Sequence, residues 1–498
     1  MTEDELIEAA GVRLVERLAA LAGTPRPPAT DPLDASRAAT VTPRGSADPD
    51  AAMPTVAAMR RALDGGQTTP RALLDQCLAR IARLDGTISA FLRVLETEAA
   101  VAADRAGEEL AGGRSRGRLH GIPFAIKDAF DTAGILTTVG SRLFAERVPA
   151  RDAALVERLR AAGAVMVGKL DTTELCLGGP SRDGGFGPAV NPWRAGCYAG
   201  ASTSGGGAAV AAGLVPLAFG SDTGGSIRLP AALTGVTGVK PSHGLLPTEG
   251  LYPLSPTLDT AGPIALTVED CALALDALAG VRPGAPAAVV GVPTGHGTDC
   301  PGISPEAAGA LLAAVDLLRG AGIAVRPVDL PGAEAFTTAF AAIMMPDGYA
   351  LHAARLAAEG EAARMSWHTR ARLSLGAFVP QEARAAVAPY RAALRAAWER
   401  ATEDAPVLLT VGTLGEAPLM EDVAPFAFLD APLVHCPANV AGGPSLTMPV
   451  AISSSAMPLA VQLSARQGGE GVLIATAARL EAALGGPPPR PPGFGPPG

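Results

Sequence analysis

The spacing of hydrophobic and polar positions outlines this chain before any single residue stands out. Near the N-terminus, Leu6, Ile7, Leu14, Val15, Leu18 and Leu21 recur at roughly helical intervals among acids and arginines, which predicts a helix over residues 3–22. Residues 24–52 are rich in Pro, Asp, Thr and Ala and read as an extended or mobile connector. Helices are predicted at 55–64 and 69–84, the second opened by Thr69 and Pro70 as N-cap and first helical residue. From residue 121 the pattern changes. Short apolar runs at 123–127, 164–168 and 217–220 read as strands, between helical stretches at 152–163, 208–213 and 227–233. Residues 185–206 form a Gly/Ser/Pro-rich loop. Further strands are expected at 288–292, 323–328, 406–411 and 459–463, and amphipathic helices at 305–320 and 468–484. Residues 333–402 carry no strand signal and read as a helical insertion. The alternation predicts α/β layers.

Three segments follow. Residues 1–54 are an N-terminal helix and connector, 55–484 the main domain, and 485–498 a Pro/Gly-rich tail expected to be disordered or polyproline-like. The N-terminal part reads as an arm laid on the main domain, with a homodimer contact as the alternative.

Composition narrows the function. A core-rich chain (48% hydrophobic, 18% charged) is globular. Its net charge of −9 and the lack of a basic block argue against a nucleic-acid partner. The acidic N-terminus lacks a signal-peptide pattern, and no uninterrupted apolar run is long enough for a membrane span. Six scattered cysteines fit reduced thiols in a cytoplasmic protein, and neither CxxC nor HExxH supports a metal site. No cofactor is implied. The oddest number is three lysines, Lys127, Lys169 and Lys240, against 37 arginines. Arginine replaces lysine well as a surface charge, but badly where an amine must lose its proton.

Chemistry gathers in the same region. Two Ser/Gly stretches stand out, 200–207 (GASTSGGG) and 220–230 (GSDTGGSIRLP). In the second, Ser226 would sit on a tight turn at a helix start. The amides of Thr223, Gly224, Gly225 and Ser226 could then hold a developing oxyanion. The bland alternative is a phosphate cradle or a plain turn. Neither the P-loop pattern nor GxSxG is present.

With these motifs the chain resembles the amidase signature family of serine amidohydrolases. The likeness runs from about Thr55 to Leu484 through ordered matches: GIPFAIKD at 121–128, Gly168-Lys169 with Glu174, Asn191-Pro192-Trp193, both Ser/Gly stretches, GVKPS at 238–242, and LSPTLDTAGP at 254–263. It implies an α/β/α sandwich with a central twisted mixed sheet and a Ser-Ser-Lys triad. Ser226 would be the nucleophile, Ser202 the bridging serine preceded by a cis peptide, and Lys127 the base. The family commonly shows GGSSGGS where this chain has Ala201 and Ser204, so Ser204 competes for the bridging place. Spacing favours Ser202. Asp222 and Arg228 are expected to pair and hold the loop, and Lys169 and Lys240 to bond loop carbonyls or a carboxylate. The insertion, with Met344, Met345, Tyr349, Trp367 and His368, reads first as core. By the resemblance it also helps form the substrate pocket.

The implied chemistry is sound from first principles. A serine hydroxyl is a weak nucleophile until a base takes its proton. Lysine serves only when neutral, so its pKa must fall by roughly 3 units, about 4 kcal/mol, from near 10.4. Burial beside Phe124 and Ile126 can impose that. A Ser-His triad using His243, or a Cys436 nucleophile with His435, lacks any local motif. The expectation is a hydrolase cleaving the C–N bond of a small linear amide, anilide or carbamate (urethane), and esters as a side activity. Its rivals are the glutaminase subunit of a tRNA-dependent amidotransferase and a catalytically inactive amide-binding protein.

Overall fold

Strands form where short apolar runs can be buried on both faces. In the computed structural model, which describes residues 2–45, 53–179 and 186–494, twelve strands make one mixed sheet. They are β1 (Thr42–Pro43), β2 (Phe91–Val94), β3 (Pro123–Lys127), β4 (Val165–Leu170), β5 (Leu217–Asp222), β6 (Thr237–Lys240), β7 (Thr260–Ala265), β8 (Val289–Pro293), β9 (Ala324–Val328), β10 (Val407–Val411), β11 (Ser445–Ile452) and β12 (Pro458–Ala465). The order is β2-β4-β3-β5-β7-β6-β11-β12-β10-β8-β9, with β1 added on β11. Helices cover both faces, which makes the layered α/β architecture expected from the alternation.

The central strands β3, β4, β5, β6 and β7 are buried at every position. β3 runs parallel to both β4 and β5, so the C-terminal ends of β3 and β5 lie side by side. In such sheets, sites form at the C-terminal ends of parallel strands. β6, β7 and β11 have no clear strand signal in the sequence. Their segments TGVK, TAGPIA and SLTMPVAI carry glycine or proline, and neighbouring strands hold them in place. Helices Glu96–Ala111 and Val268–Ala279 also lie outside the predicted elements.

The predicted helical insertion is borne out by helices at Ala333–Ala357, Trp367–Ser374 and Gln381–Asp404. It builds a second hydrophobic cluster around Phe336, Leu394 and Trp398. The N-terminal helix ends earlier than predicted, at Leu18, followed by a 3-10 turn over Ala19–Ala22. Its Leu14 and Leu18 enter this second cluster, so the arm is part of the fold. Arg17 ties it down through Glu334 (2.5 Å) and the Leu429 carbonyl (3.0 Å), and Arg13 pairs with Asp430.

The connector takes the extended one of its two expected forms, as an arm laid on the domain, whereas the expected disorder of the tail needs correction. Connector residues 24–45 are laid on the surface: Thr298 donates to the Pro32 carbonyl, Ala39 to that of Pro305, and β1 pairs β11. Residues 46–52 lie outside the described residues. Of the Pro-rich tail, residues 485–494 are held by Arg490, which donates to the Val210, Ala211 and Met53 carbonyls, and by Arg80, which donates to that of Phe494. Guanidinium-to-carbonyl bonds order a segment that hydropathy alone left free. Residues 495–498 lie outside the description. Because Leu14 is fully buried, Leu14→Ala should cost about 2–5 kcal/mol in urea unfolding. An unchanged midpoint would mean that the arm is not integral.

Candidate active site

Lys127 closes β3 and is fully buried. Its Nζ lies 2.6 Å from Ser202 Oγ and 2.7 Å from Ser221 Oγ, and it forms no ion pair among the described residues. Burial lowers its pKa below the ordinary lysine value, which favours the neutral amine. Ser221 is a contact that the sequence did not reveal. It sits inside β5, one strand over, where parallel pairing brings it alongside the end of β3. Its only signal was its place one residue before Asp222.

Ser202 precedes the helix Ser204–Ala211. The chain approaches through Gly200 at φ +113°, where a Cβ would come within 2.4 Å of the Pro230 backbone. The cis peptide expected before Ser202 is not found, since all peptide bonds among the described residues are trans. A non-proline peptide bond favours trans by about 3 kcal/mol. Ser204 turns away from Lys127 and donates to Asp171 Oδ2 at 3.0 Å. The geometry therefore places Ser202, not Ser204, at the amine.

Ser226 lies on the turn between β5 and the helix Arg228–Thr234. Asp222 shapes that turn by accepting from the Gly225 amide (2.9 Å) and the Ile227 amide (3.1 Å). As expected, Asp222 and Arg228 pair, through two contacts of 2.9 and 3.0 Å. Arg228 also donates to the His435 carbonyl, Gln462 and Asn439. Burial opposes the Asp222 charge, but Arg228 outweighs it and holds the carboxyl well below the usual range. The bond from Gly225 N–H to Asp222 narrows the expected oxyanion donors. The amides of Thr223, Gly224 and Ser226 make no hydrogen bond among the described residues. The backbone of Thr203 donates to the Ser226 carbonyl at 3.1 Å, tying the two Ser/Gly stretches together. No hydrogen bond joins the Ser202 and Ser226 hydroxyls among the described residues, a bond that commonly tightens only with substrate in place.

The other candidates fall into place. Lys169 donates to the Phe130 carbonyl and to Thr132 and Thr137, and lies 3.3 Å from Asp128. Lys240 donates to the Pro241 carbonyl. Both are loop fasteners. His243 faces the Pro256 carbonyl. Burial pushes the Cys436 thiol up to about 12 and the His435 imidazole down to about 3, and the thiol's hydrogen-bond contact is Thr337. Neither rival dyad is assembled. No group of three metal-ligating side chains occurs among the described residues. No helix among them is long and apolar enough to cross a membrane.

Ser226, Thr223 and Gly224 open onto a cavity of about 220 Å³ walled by Phe340, Met344, Met345, Leu177, Leu254 and Phe428. Two of the insertion's methionines thus reach the site. Tyr349, Trp367 and His368 do not line it. A larger cavity, about 830 Å³, lies between Met53, Glu481 and Arg490, away from Ser226.

A model of the family described as Amidase matches residues 72–474. The chain belongs to the amidase signature family. It is 34% identical over 469 residues to a glutamyl-tRNA(Gln) amidotransferase subunit from Synechococcus sp. (strain CC9311), covering 86% of this chain and 96% of that one. Among solved structures, it resembles one described as a vestigial protein complex that reveals the evolutionary origins of an s-triazine catabolic enzyme. The TM-score is 0.78 at 30% identity, with 87% and 99% of the two chains covered. It also resembles the peptide amidase of Stenotrophomonas maltophilia, at TM-score 0.74 and 28% identity over 88% and 98%. Family membership bears out the expected layered sheet.

Removing Arg228 would leave the buried Asp222 carboxylate uncompensated. Arg228→Ala should therefore destabilise the protein by about 3–5 kcal/mol in chemical denaturation. A change under about 1 kcal/mol would contradict a structural role for the pair.

Proposed function

We propose that this amidase-family chain hydrolyses a C–N bond of a small amide through an acyl-enzyme on Ser226. The observation that carries this reading is the buried Lys127 amine, bonded to Ser202 and lacking an ion-pair partner among the described residues. In the first step Ser226 Oγ bonds to the amide carbon. Its proton passes to Ser202, and the Ser202 proton to Lys127. The Thr223, Gly224 and Ser226 amides, which make no other hydrogen bond among the described residues, would stabilise the oxyanion that forms. As the C–N bond breaks, the relay returns the proton to the leaving nitrogen. Water then releases the acid by the same route. Carbamates and esters fit the same steps, with a carbonyl carbon and a leaving group that accepts a proton.

A second reading has specific support. The amidotransferase relative aligns over nearly its whole length, which favours glutamine as the amide, with ammonia passed to a partner protein. Both readings share the acyl-enzyme. Glutamine hydrolysis that rises when a copurifying protein is added would select the second. Unaided hydrolysis of simple amides would select the first.

Ser226→Ala should abolish turnover and fluorophosphonate labelling, while circular dichroism stays unchanged. Near-full activity in that variant would sink the reading. Lys127→Arg should reduce kcat by about three orders of magnitude or more, because a guanidinium cannot give up its proton. The pH profile follows from the sign of the Lys127 shift. Burial favours the neutral amine, which gains its proton only as pH falls, so activity is present at higher pH and lost on the acid side. A flat kcat/KM between about pH 9 and about pH 5 would contradict a lysine base.

A further inference from the structure

All six cysteines are buried, yet one differs from the rest in its surroundings. Cys176 lines the cavity that Ser226 opens onto, whereas Cys77, Cys197, Cys271, Cys300 and Cys436 do not. It is 3% exposed and ends the short turn Glu174–Cys176 that follows β4. Leu175 and Cys176 have φ of +53° and +60°, in the left-handed region that disfavours side chains. Surrounding bonds impose this shape. The Leu175 amide donates to the Val139 carbonyl at 2.9 Å, and the Cys176 amide to that of Thr173 at 3.0 Å. The Glu174 carboxylate accepts from the Ser141 hydroxyl at 2.6 Å and from the Ser366 amide at 2.9 Å. So held, the thiol comes within hydrogen-bond reach of the Lys127 amine and the Thr172 hydroxyl.

A buried thiol is ordinarily inert. Burial raises the Cys176 pKa above the usual thiol value, so the nucleophilic thiolate is scarce at rest. The amine beside it changes this. A neutral Lys127 can take the thiol proton at the moment of attack, as it would take that of Ser202. The cavity has room for the other reactant. It also holds the Ser226 hydroxyl, 8% exposed and without a hydrogen-bond partner among the described residues. The Thr223 and Gly224 amides, equally unpartnered there, lie on the same wall. Buried polar groups left without partners mark the place of a polar ligand. At about 220 Å³, that place lies below the roughly 300–1,000 Å³ of pockets for drug-sized ligands, so the ligand is small.

We infer that Cys176 is a second nucleophile of this cavity and a covalent modification site for small α,β-unsaturated amides. The Cys176 sulfur bonds to the β-carbon of the amide, and the C=C π pair shifts to leave an enolate oxygen. The thiol proton passes to Lys127 and returns to the α-carbon as the enolate collapses. The amine ends neutral, the amide C–N bond stays intact, and nothing leaves. No oxidant or reductant is needed. The Thr223 and Gly224 amides would stabilise the enolate oxygen as they would the oxyanion of hydrolysis. This step depends on the proposed function for those donors and for Lys127 as base, but not for Ser226 as nucleophile. The thioether fills the cavity and removes the thiol from Lys127, so the modified chain is a blocked enzyme.

The test uses Ser226→Ala protein, which cannot hydrolyse the probe, with acrylamide as the electrophile. Peptide mass analysis should find one acrylamide per chain, on Cys176, with a rate that saturates as acrylamide is raised. The other five cysteines should stay unmodified while the protein is folded. Propanamide, which has the same shape without the double bond, should protect Cys176. Adding Lys127→Met keeps the bulk of the side chain without its base, and should slow the alkylation by about 100-fold or more. Circular dichroism checks that this variant is folded, and the saturation and protection measurements stand without it. Alkylation spread over the other buried cysteines, a rate indifferent to propanamide or to Lys127, or no adduct on Cys176 would overturn the inference. Fluorophosphonate labelling of the unaltered chain separates this claim from the acyl-enzyme reading. Labelling of Ser226 with no acrylamide on Cys176 keeps the acyl-enzyme and removes the second nucleophile. Acrylamide on Cys176 with no labelling of Ser226 does the reverse.

Discussion

A fully buried amine with no ion-pair partner among the described residues is the constraint around which this structure is arranged. Lys127 cannot be both charged and comfortable at the end of β3, because its neighbours there are two serine hydroxyls, the buried Cys176 thiol and an apolar strand. The cheapest solution is the neutral amine, with serine hydroxyls sharing its hydrogen bonds. That state is also the one that can accept a proton from Ser202. Stability and chemistry thus ask for the same protonation state, and the sheet enforces it by placing β3 between two parallel neighbours.

The surrounding charges are arranged so as not to disturb that amine. Asp259 and Asp222 both attract a proton to Lys127, but Asp259 is engaged by Thr223 and the Leu254 and Ser255 amides, and Asp222 by Arg228, Asn439 and two turn amides. Arg228 in turn reaches β12 through Gln462. The turn bearing Ser226 is therefore tied to both β5 and β12. The other two lysines perform the ordinary task of fastening loops.

Much of this was legible in the sequence, for identifiable reasons. The apolar runs of β3, β4, β5, β8 and β10 are complete enough to read as buried strands. The scarcity of lysine sets Lys127 apart on composition alone. The two Ser/Gly stretches mark the turns that carry Ser202 and Ser226. What stayed hidden depends on contacts distant in the chain. β6 and β7 are strands because β5 and β11 flank them, not because TGVK or TAGPIA prefers to be extended. Ser221 looks like any polar residue at a strand end until β5 is laid beside β3. The Pro-rich tail misled because order there comes from Arg80 and Arg490 bonding carbonyls, which hydropathy does not register.

The central claim is that Lys127 is neutral at the pH where the enzyme works, and the composition of the chain makes this directly measurable. Protein labelled with ¹⁵N at the lysine side-chain nitrogens gives three signals, and loss of one in Lys127→Ala assigns it. Titration by NMR between about pH 5 and about pH 10 then reads the amine itself. The account predicts that the Lys127 nitrogen has the chemical shift of a neutral amine at neutral pH and gains its proton only on the acid side. An ammonium signal persisting at Lys127 up to about pH 10 would contradict it.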